Sequence, residues 1–142
     1  MYSGLKDKVV ILTGASGLIG REVLRHLHNN GAKVVAVDMK PVENIADLVL
    51  NLNMTITQDI DELIALVMEK YNRIDGLVNL AYPRTSDWGA RFENIPYASW
   101  QENMDMQLNA VFYICQKVLA VLQVQEKGSI VNIASIYGVV GN

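Results

Sequence analysis

The segment TGASGLIG, Thr13 to Gly20, is the stretch of the chain best suited to hold a charged ligand. It joins the apolar run KVVILTG to GLIGREVLRHLHNNG, where Ile19, Val23, Leu24 and Leu27 recur at helical spacing and Gly31 stands where a helix would end. Gly14 allows a tight turn, Gly17 lets backbone approach a pyrophosphate, and Gly20 permits close helix packing. The helix N-terminus adds free N–H groups and partial positive charge. The Gly14, Gly17, Gly20 spacing is neither G-x-G-x-x-G nor a P-loop, and a purely structural turn could use the same residues. Asp38 ends the run AKVVAVD about twenty residues further on, where a carboxylate accepts hydrogen bonds from ribose hydroxyls and repels a 2′-phosphate. This predicts NAD in preference to NADP, with Lys40 able to soften the preference and strand capping as the other role open to Asp38. Ser135 is the remaining candidate: GSIVNIAS brings its hydroxyl to the carboxyl end of an apolar run.

Positioning these groups requires parallel strands. Short β-rich apolar runs occupy Lys8–Gly14, Ala32–Asp38, Ala46–Asn53, Gly76–Ala81 and Gly128–Ala134. Between them lie the helix after Gly17, a stretch after Asp38 with room for only a turn or so of helix, a helix in IDELIALVMEKY, and a long helix from about Ser99 to Leu122. Asp59 and Glu62 have capping-box spacing ahead of the third of these. Strand–helix alternation of this kind predicts a doubly wound parallel α/β sheet, Rossmann-like, with helices on both faces. Ligands of such sheets bind outside the carboxyl ends of the strands, near the switch point between the first and fourth. The irregular stretch YPRTSDWGARFENIPYASW leaves that region, and its Trp88, Phe92 and Tyr97 either line a substrate entrance or pin the loop.

At 142 residues, with 51% hydrophobic and 19% charged residues, the chain is expected to form one globular domain, residues 1–142. The net charge of −3 supplies no basic field for nucleic acid or anionic lipid. Cys115 has no second cysteine to pair with, the N-terminus is too polar for a signal peptide, and no uninterrupted apolar run reaches about 18 residues. These features predict a soluble cytoplasmic protein, bound to neither membrane nor nucleic acid. His26 and His28 face different ways on a helix, Asp59, Asp61 and Glu62 suit a helix dipole, and Cys115 suits a packed helix face, so no metal site is expected.

Taken together, TGASGLIG, NLNMT, VNLAYP and IVNIAS resemble, in order and spacing, the motifs of the short-chain dehydrogenase/reductase family. NLAYPR, MQLNAVFYICQ and NIASIYGVV are similar to a subgroup of flagellin-modification or sialic-acid-like sugar biosynthesis oxidoreductases. The resemblance implies strand order 3-2-1-4-5 and an NAD(H)-dependent interconversion of an alcohol and a carbonyl on a small molecule, a sugar or nucleotide sugar. It implies cofactor contacts from Gly14, Ser16, Gly17, Leu18, Ile19, Gly20, Asp38, Met39, Asn53, Met54, Asn79, Leu80, Ala81 and Tyr82. Ser135 would polarise the substrate carbonyl, and Gln107, seven residues after Trp100, stands where the family has an asparagine that kinks the long helix and holds a relay water.

The extra methylene of Gln107 displaces that amide, Asn53 replaces an aspartate, and Leu80 replaces an asparagine that braces the sheet. The family's tyrosine and lysine would lie beyond Asn142, so the domain is expected to be incomplete at its C-terminus, inactive alone and prone to associate. Its uncovered helix stripe would be Val111, Ile114, Cys115, Val118 and Leu122, and the full-length form is expected to be a homo-oligomer. Tyr113 and Lys117 form Tyr-x-x-x-Lys, but they precede the serine on an amphipathic helix and are expected to be a chance match. Two readings remain: an oxidoreductase represented by its N-terminal part, and a nucleotide-binding module without turnover.

Overall fold

Every side chain of Val9–Thr13 is buried, which places this strand, β1, at the centre of a sheet. A computed structural model describes residues 3–140. The other strands are β2 (Lys33–Val37), β3 (Leu48–Leu50), β4 (Gly76–Asn79) and β5 (Ser129–Asn132), all parallel in the order β3-β2-β1-β4-β5. Helices α1 (Leu18–Asn29), α2 (Thr57–Tyr71), α3 (Tyr97–Met104) and α4 (Ala110–Gln125) connect them. Side chains alternate across the sheet, so consecutive strand residues enter opposite cores. Val9, Ile11, Val35 and Val37 meet Ile60, Leu63 and Val67 of α2 and Ile114, Val118 and Leu122 of α4. Val10, Leu12, Val34 and Ala36 meet Leu24 and Leu27 of α1 on the other face.

Two aspartates anchor the amino ends of the strands. Asp75 accepts the Val9 N–H at 2.9 Å and Asp47 accepts the Val34 N–H at 2.9 Å, each acid lying just ahead of one strand and holding its neighbour. Burial alone would raise both carboxyls. Hydrogen bonds outweigh it, from Arg73 and Val9 at Asp75 and from Val34 and Lys33 at Asp47, and both lie below the ordinary carboxylate range. At the carboxyl ends, the final rungs align Leu50, Val37, Thr13, Asn79 and Asn132 across the sheet.

The crossover between β2 and β3 is short, as expected, and residues 38–47 hold bends, a turn and irregular chain without a helix. Other expectations need correction. Asp59 does not cap α2; its carboxylate accepts the Asn53 N–H at 2.7 Å, while the N-cap residue is Ile56. The long helix runs from Tyr97 to Gln125, and Asp105–Asn109 wind as a π-helix between α3 and α4. It is long and apolar enough to cross a membrane by length and composition, which reading for uninterrupted apolar runs missed. One side of it packs against the sheet core, and Lys117 pairs with Asp61 of α2 at 2.7 Å, as expected of a layer helix. The stripe expected to be uncovered is in fact the sheet-facing one at Ile114, Val118 and Leu122, whereas Leu108, Phe112 and Leu119 are exposed.

Candidate active site

Two glycines make the β1–α1 turn possible. Gly14 has φ 68°, and a Cβ there would lie 2.6 Å from the Ala81 nitrogen, so the turn rests directly on the backbone leaving β4. A Cβ on Gly20 would collide with the Gly14 carbonyl oxygen, which is how α1 comes so close to the strand that precedes it. Gly17 is the N-cap residue, with no side-chain cap and no acidic residue in the first turn, and Leu18 and Ile19 are exposed. Its N–H donates to the Gly14 carbonyl at 3.1 Å. The result is a shallow cradle with a positively polarised helix end.

Asp38 closes the cradle's flank. One carboxylate oxygen accepts the Ser16 N–H at 2.9 Å and the other the Lys40 N–H at 2.9 Å, so the side chain is held at the carboxyl end of β2. Met39 beside it is exposed. Asn53, expected to contact the cofactor, has its side-chain carbonyl oxygen accepting from Thr55 N at 3.0 Å and Thr55 Oγ1 at 2.9 Å. Met54 lines a small cavity with Thr13, Asn79, Ala81 and Pro83.

A polar network ties the strand ends together. Thr13, 1% exposed, donates to Asn79 at 3.4 Å and accepts the Leu80 and Ala81 N–H groups, both at 3.2 Å. Asn79 donates to Asn132 Oδ1 at 2.7 Å, and the half-buried Cys115 contacts both asparagines at 3.6 Å. Asn132 was not read from the sequence as a site residue, although it breaks the apolar run of β5. It restores the bracing that Leu80, packed in the α1-side core, does not supply.

Beyond Ala81 the chain turns outward. Tyr82 is exposed and meets Trp88 edge-on at a centroid distance of 5.7 Å. Gln107, at the middle of the π-helix, donates to the Pro83 carbonyl at 3.0 Å, so its amide holds this loop. The buried Asn103, one turn earlier, donates to Thr85 Oγ1 at 2.7 Å and to the Ser99 carbonyl at 2.8 Å. The spacing of Asn103 and Gln107, four residues on one helix face, was the available signal for this pair.

Ser135 stands three residues past the end of β5, exposed, with its Oγ accepting the Tyr137 N–H at 3.2 Å. Because β5 pairs with β4 and β4 with β1, the Ser135 and Gly14 segments flank the loop that follows β4. Tyr113 and Lys117 lie elsewhere, on the α2–α4 seam. Tyr113 donates to the Asp61 carboxylate at 3.0 Å, and Lys117 sits over the Tyr113 ring at 4.8 Å. The Lys117 and Tyr113 hydrogen bonds hold the Asp61 carboxyl below its ordinary range. His26 and His28 are exposed, and no group of metal-ligating side chains converges among the described residues.

A parallel sheet in this order, a glycine cradle at its switch point and an acid at the end of β2 define a dinucleotide-binding domain. The sequence profile described as short chain dehydrogenase matches residues 8–142, and the chain belongs to that family. It is 34% identical over 150 residues to the 3-oxoacyl-(acyl-carrier-protein) reductase FabG of Thermotoga maritima, covering 97% of this chain and 59% of that protein. An uncharacterised oxidoreductase of Staphylococcus saprophyticus is 34% identical over 145 residues, covering 96% of this chain and 58% of that one. Among solved structures, the ligand-free aldohexose dehydrogenase of Thermoplasma acidophilum superposes with a TM-score of 0.89 at 25% identity, covering 100% of this chain and 55% of that one. A short chain dehydrogenase from Leptospira borgpetersenii with bound NAD+ gives 0.85 at 26%, covering 96% and 55%. The chain thus spans a little over half the length of these relatives.

Proposed function

We propose that residues 1–142 form the NAD(H)-binding part of an oxidoreductase that interconverts an alcohol and a carbonyl on a sugar or nucleotide sugar. The observation that carries this reading is Asp38, fixed by the Ser16 and Lys40 N–H groups beside a turn whose Gly14 and Gly20 leave no room for a Cβ. Such a cradle fits a dinucleotide: Gly14, Ser16, Gly17, Leu18, Ile19 and Gly20 surround the pyrophosphate, and Asp38 with Met39 takes the adenosine ribose. Asn53 and Met54 border the adenine, while Asn79, Leu80, Ala81 and Tyr82 border the far end of the cofactor. Bound there, the nicotinamide would supply or take up hydride. Ser135 polarises the substrate carbonyl by donating its hydroxyl, and Gln107 holds the Pro83 loop in place of the relay role expected of it. The relatives support alcohol–carbonyl chemistry, one being named a 3-oxoacyl reductase and another an aldohexose dehydrogenase. The working form is a cytoplasmic homo-oligomer acting on a small molecule.

One observation favours the second reading, a nucleotide-binding module without turnover: the Gln107 amide is engaged by Pro83. Fluorescence titration with NADH and NADPH tests the cofactor assignment. NADH should bind about tenfold more tightly, a gap that Asp38→Ala narrows. Equal affinity in the unsubstituted protein refutes the role of Asp38, whereas cofactor binding by the full-length protein without oxidation of any alcohol favours the second reading.

A further inference from the structure

The loop after β4 carries an aromatic rim that extends past Tyr82, the last residue to border the cofactor, and that the sheet does not use. Tyr82 and Trp88 pack edge-to-face at 90°, yet remain 56% and 47% exposed, so two large rings are held in a fixed posture without being buried. The Arg84 guanidinium lies 5.9 Å from the centre of the Tyr82 ring. Among the described residues no carboxylate lies within ion-pair distance of it. The two acids of the same loop are engaged elsewhere, Asp87 by the hydroxyls of Thr85 and Ser99 and Glu93 by Arg91 at 3.8 Å.

The backbone on both sides of Arg84 is anchored. Gln107 holds the Pro83 carbonyl at 3.0 Å, and Asn103, 9% exposed, accepts the Thr85 N–H at 3.2 Å. Strand order sets this rim between the glycine turn after β1 and the Ser135 segment after β5, where a substrate must meet the cofactor.

We propose that Tyr82, Trp88 and Arg84 form the substrate-specificity site of this domain, taking a pyranose that carries an oxyanion. The inference rests on the oxidoreductase reading and narrows its substrate class. A perpendicular ring pair presents one flat face and one edge, enough for the small C–H patch of a pyranose, whereas an extended acyl chain needs a continuous apolar channel. Ser86, exposed in the same loop, suits a hydroxylated ligand. A guanidinium held over an aromatic ring, with no carboxylate partner among the described residues, is placed to grip a carboxylate or a phosphate in bidentate fashion.

Saturation-transfer NMR titrations, with and without NADH, test this using glucose, glucuronate, glucose 1-phosphate and acetate as probes. Glucuronate or glucose 1-phosphate should bind about tenfold more tightly than glucose, and the tighter of the two identifies the anion as carboxylate or phosphate. Arg84→Gln should remove that gap without weakening glucose, and Trp88→Ala should weaken all three sugars. Equal affinity for glucose and both anionic sugars overturns the proposal, as does a gap that survives Arg84→Gln. Acetate binding as tightly as glucuronate overturns it too, because the ring face then contributes nothing. NADH affinity keeps the two readings apart. An unsubstituted protein that binds NADH without preferring anionic sugars defeats this proposal alone, and failure to bind NADH defeats the oxidoreductase reading. NADH binding weakened by either substitution assigns the rim to the cofactor and overturns the proposal.

Discussion

Asp75→Ala removes the carboxylate from a junction where three strands meet, leaving its backbone hydrogen bonds in place. The Asp75 side chain, 6% exposed, receives Val9 N at 2.9 Å and Arg73 at 2.8 and 2.6 Å, with Lys8 at 3.5 Å. Its backbone N–H donates to the Val9 carbonyl at 2.8 Å, and its carbonyl accepts the Ser129 N–H at 3.1 Å. Val9 is 2% exposed, so losing the carboxylate leaves a buried N–H unpaired, at about 1–3 kcal/mol. Arg73 and Lys8 are themselves 41% and 37% exposed, and screening limits their share to about 1 kcal/mol. The expected loss is therefore about 2–4 kcal/mol at pH 7, measured as the change in urea unfolding free energy at constant slope. Because the folded-state pKa of Asp75 is depressed, its contribution is present above the unfolded carboxylate value of about 3.9 and is lost as pH falls through the lower folded value. The difference between the unsubstituted protein and the variant should accordingly shrink as pH falls below about 5. A loss under about 0.5 kcal/mol at pH 7, or a difference that does not change with pH, would refute the reasoning.

Other outcomes are expected in the full chain. Ser135→Ala should lower turnover by about a hundredfold with NADH affinity unchanged, the pattern of a hydrogen bond made mainly in the transition state; steady-state kinetics beside a binding titration checks it. Lys117→Met should leave both turnover and NADH affinity unchanged while lowering the urea midpoint slightly, since Lys117 clips α4 to Asp61 of α2; a collapse of turnover would make Tyr113 and Lys117 catalytic after all. Gln107→Ala should raise the KM for substrate more than it lowers kcat, because the amide holds Pro83; a fall in kcat alone would restore the relay role.

The chemistry legible in the sequence was the kind encoded within one strand and its turn. Gly14 and Gly20 were readable because a β–α turn at this spacing excludes side chains, and Asp38 because the end of a buried strand places it beside that turn. Alternation of apolar runs with helical spacing likewise determined the sheet and its two helical layers, since burial on both faces of a parallel strand leaves a continuous apolar signature. What lay beyond reach were contacts whose partners are brought together only by strand order. Asn79 meets Asn132 across 53 positions, and Gln107 meets Pro83 across 24. Composition could not say whether the Gln107 amide faced a substrate or a carbonyl. The π-helix, which adds a residue to a turn and rotates everything after it, left no mark on hydrophobic spacing short enough to detect. Tyr113 and Lys117 show the converse: the motif spacing is present, but the fold sets the pair on the α2–α4 seam, where Asp61 engages both. Local patterns determine which elements form, because backbone conformation and burial are decided over a few residues; hydrogen-bond partners are decided by packing, which joins segments far apart in the chain.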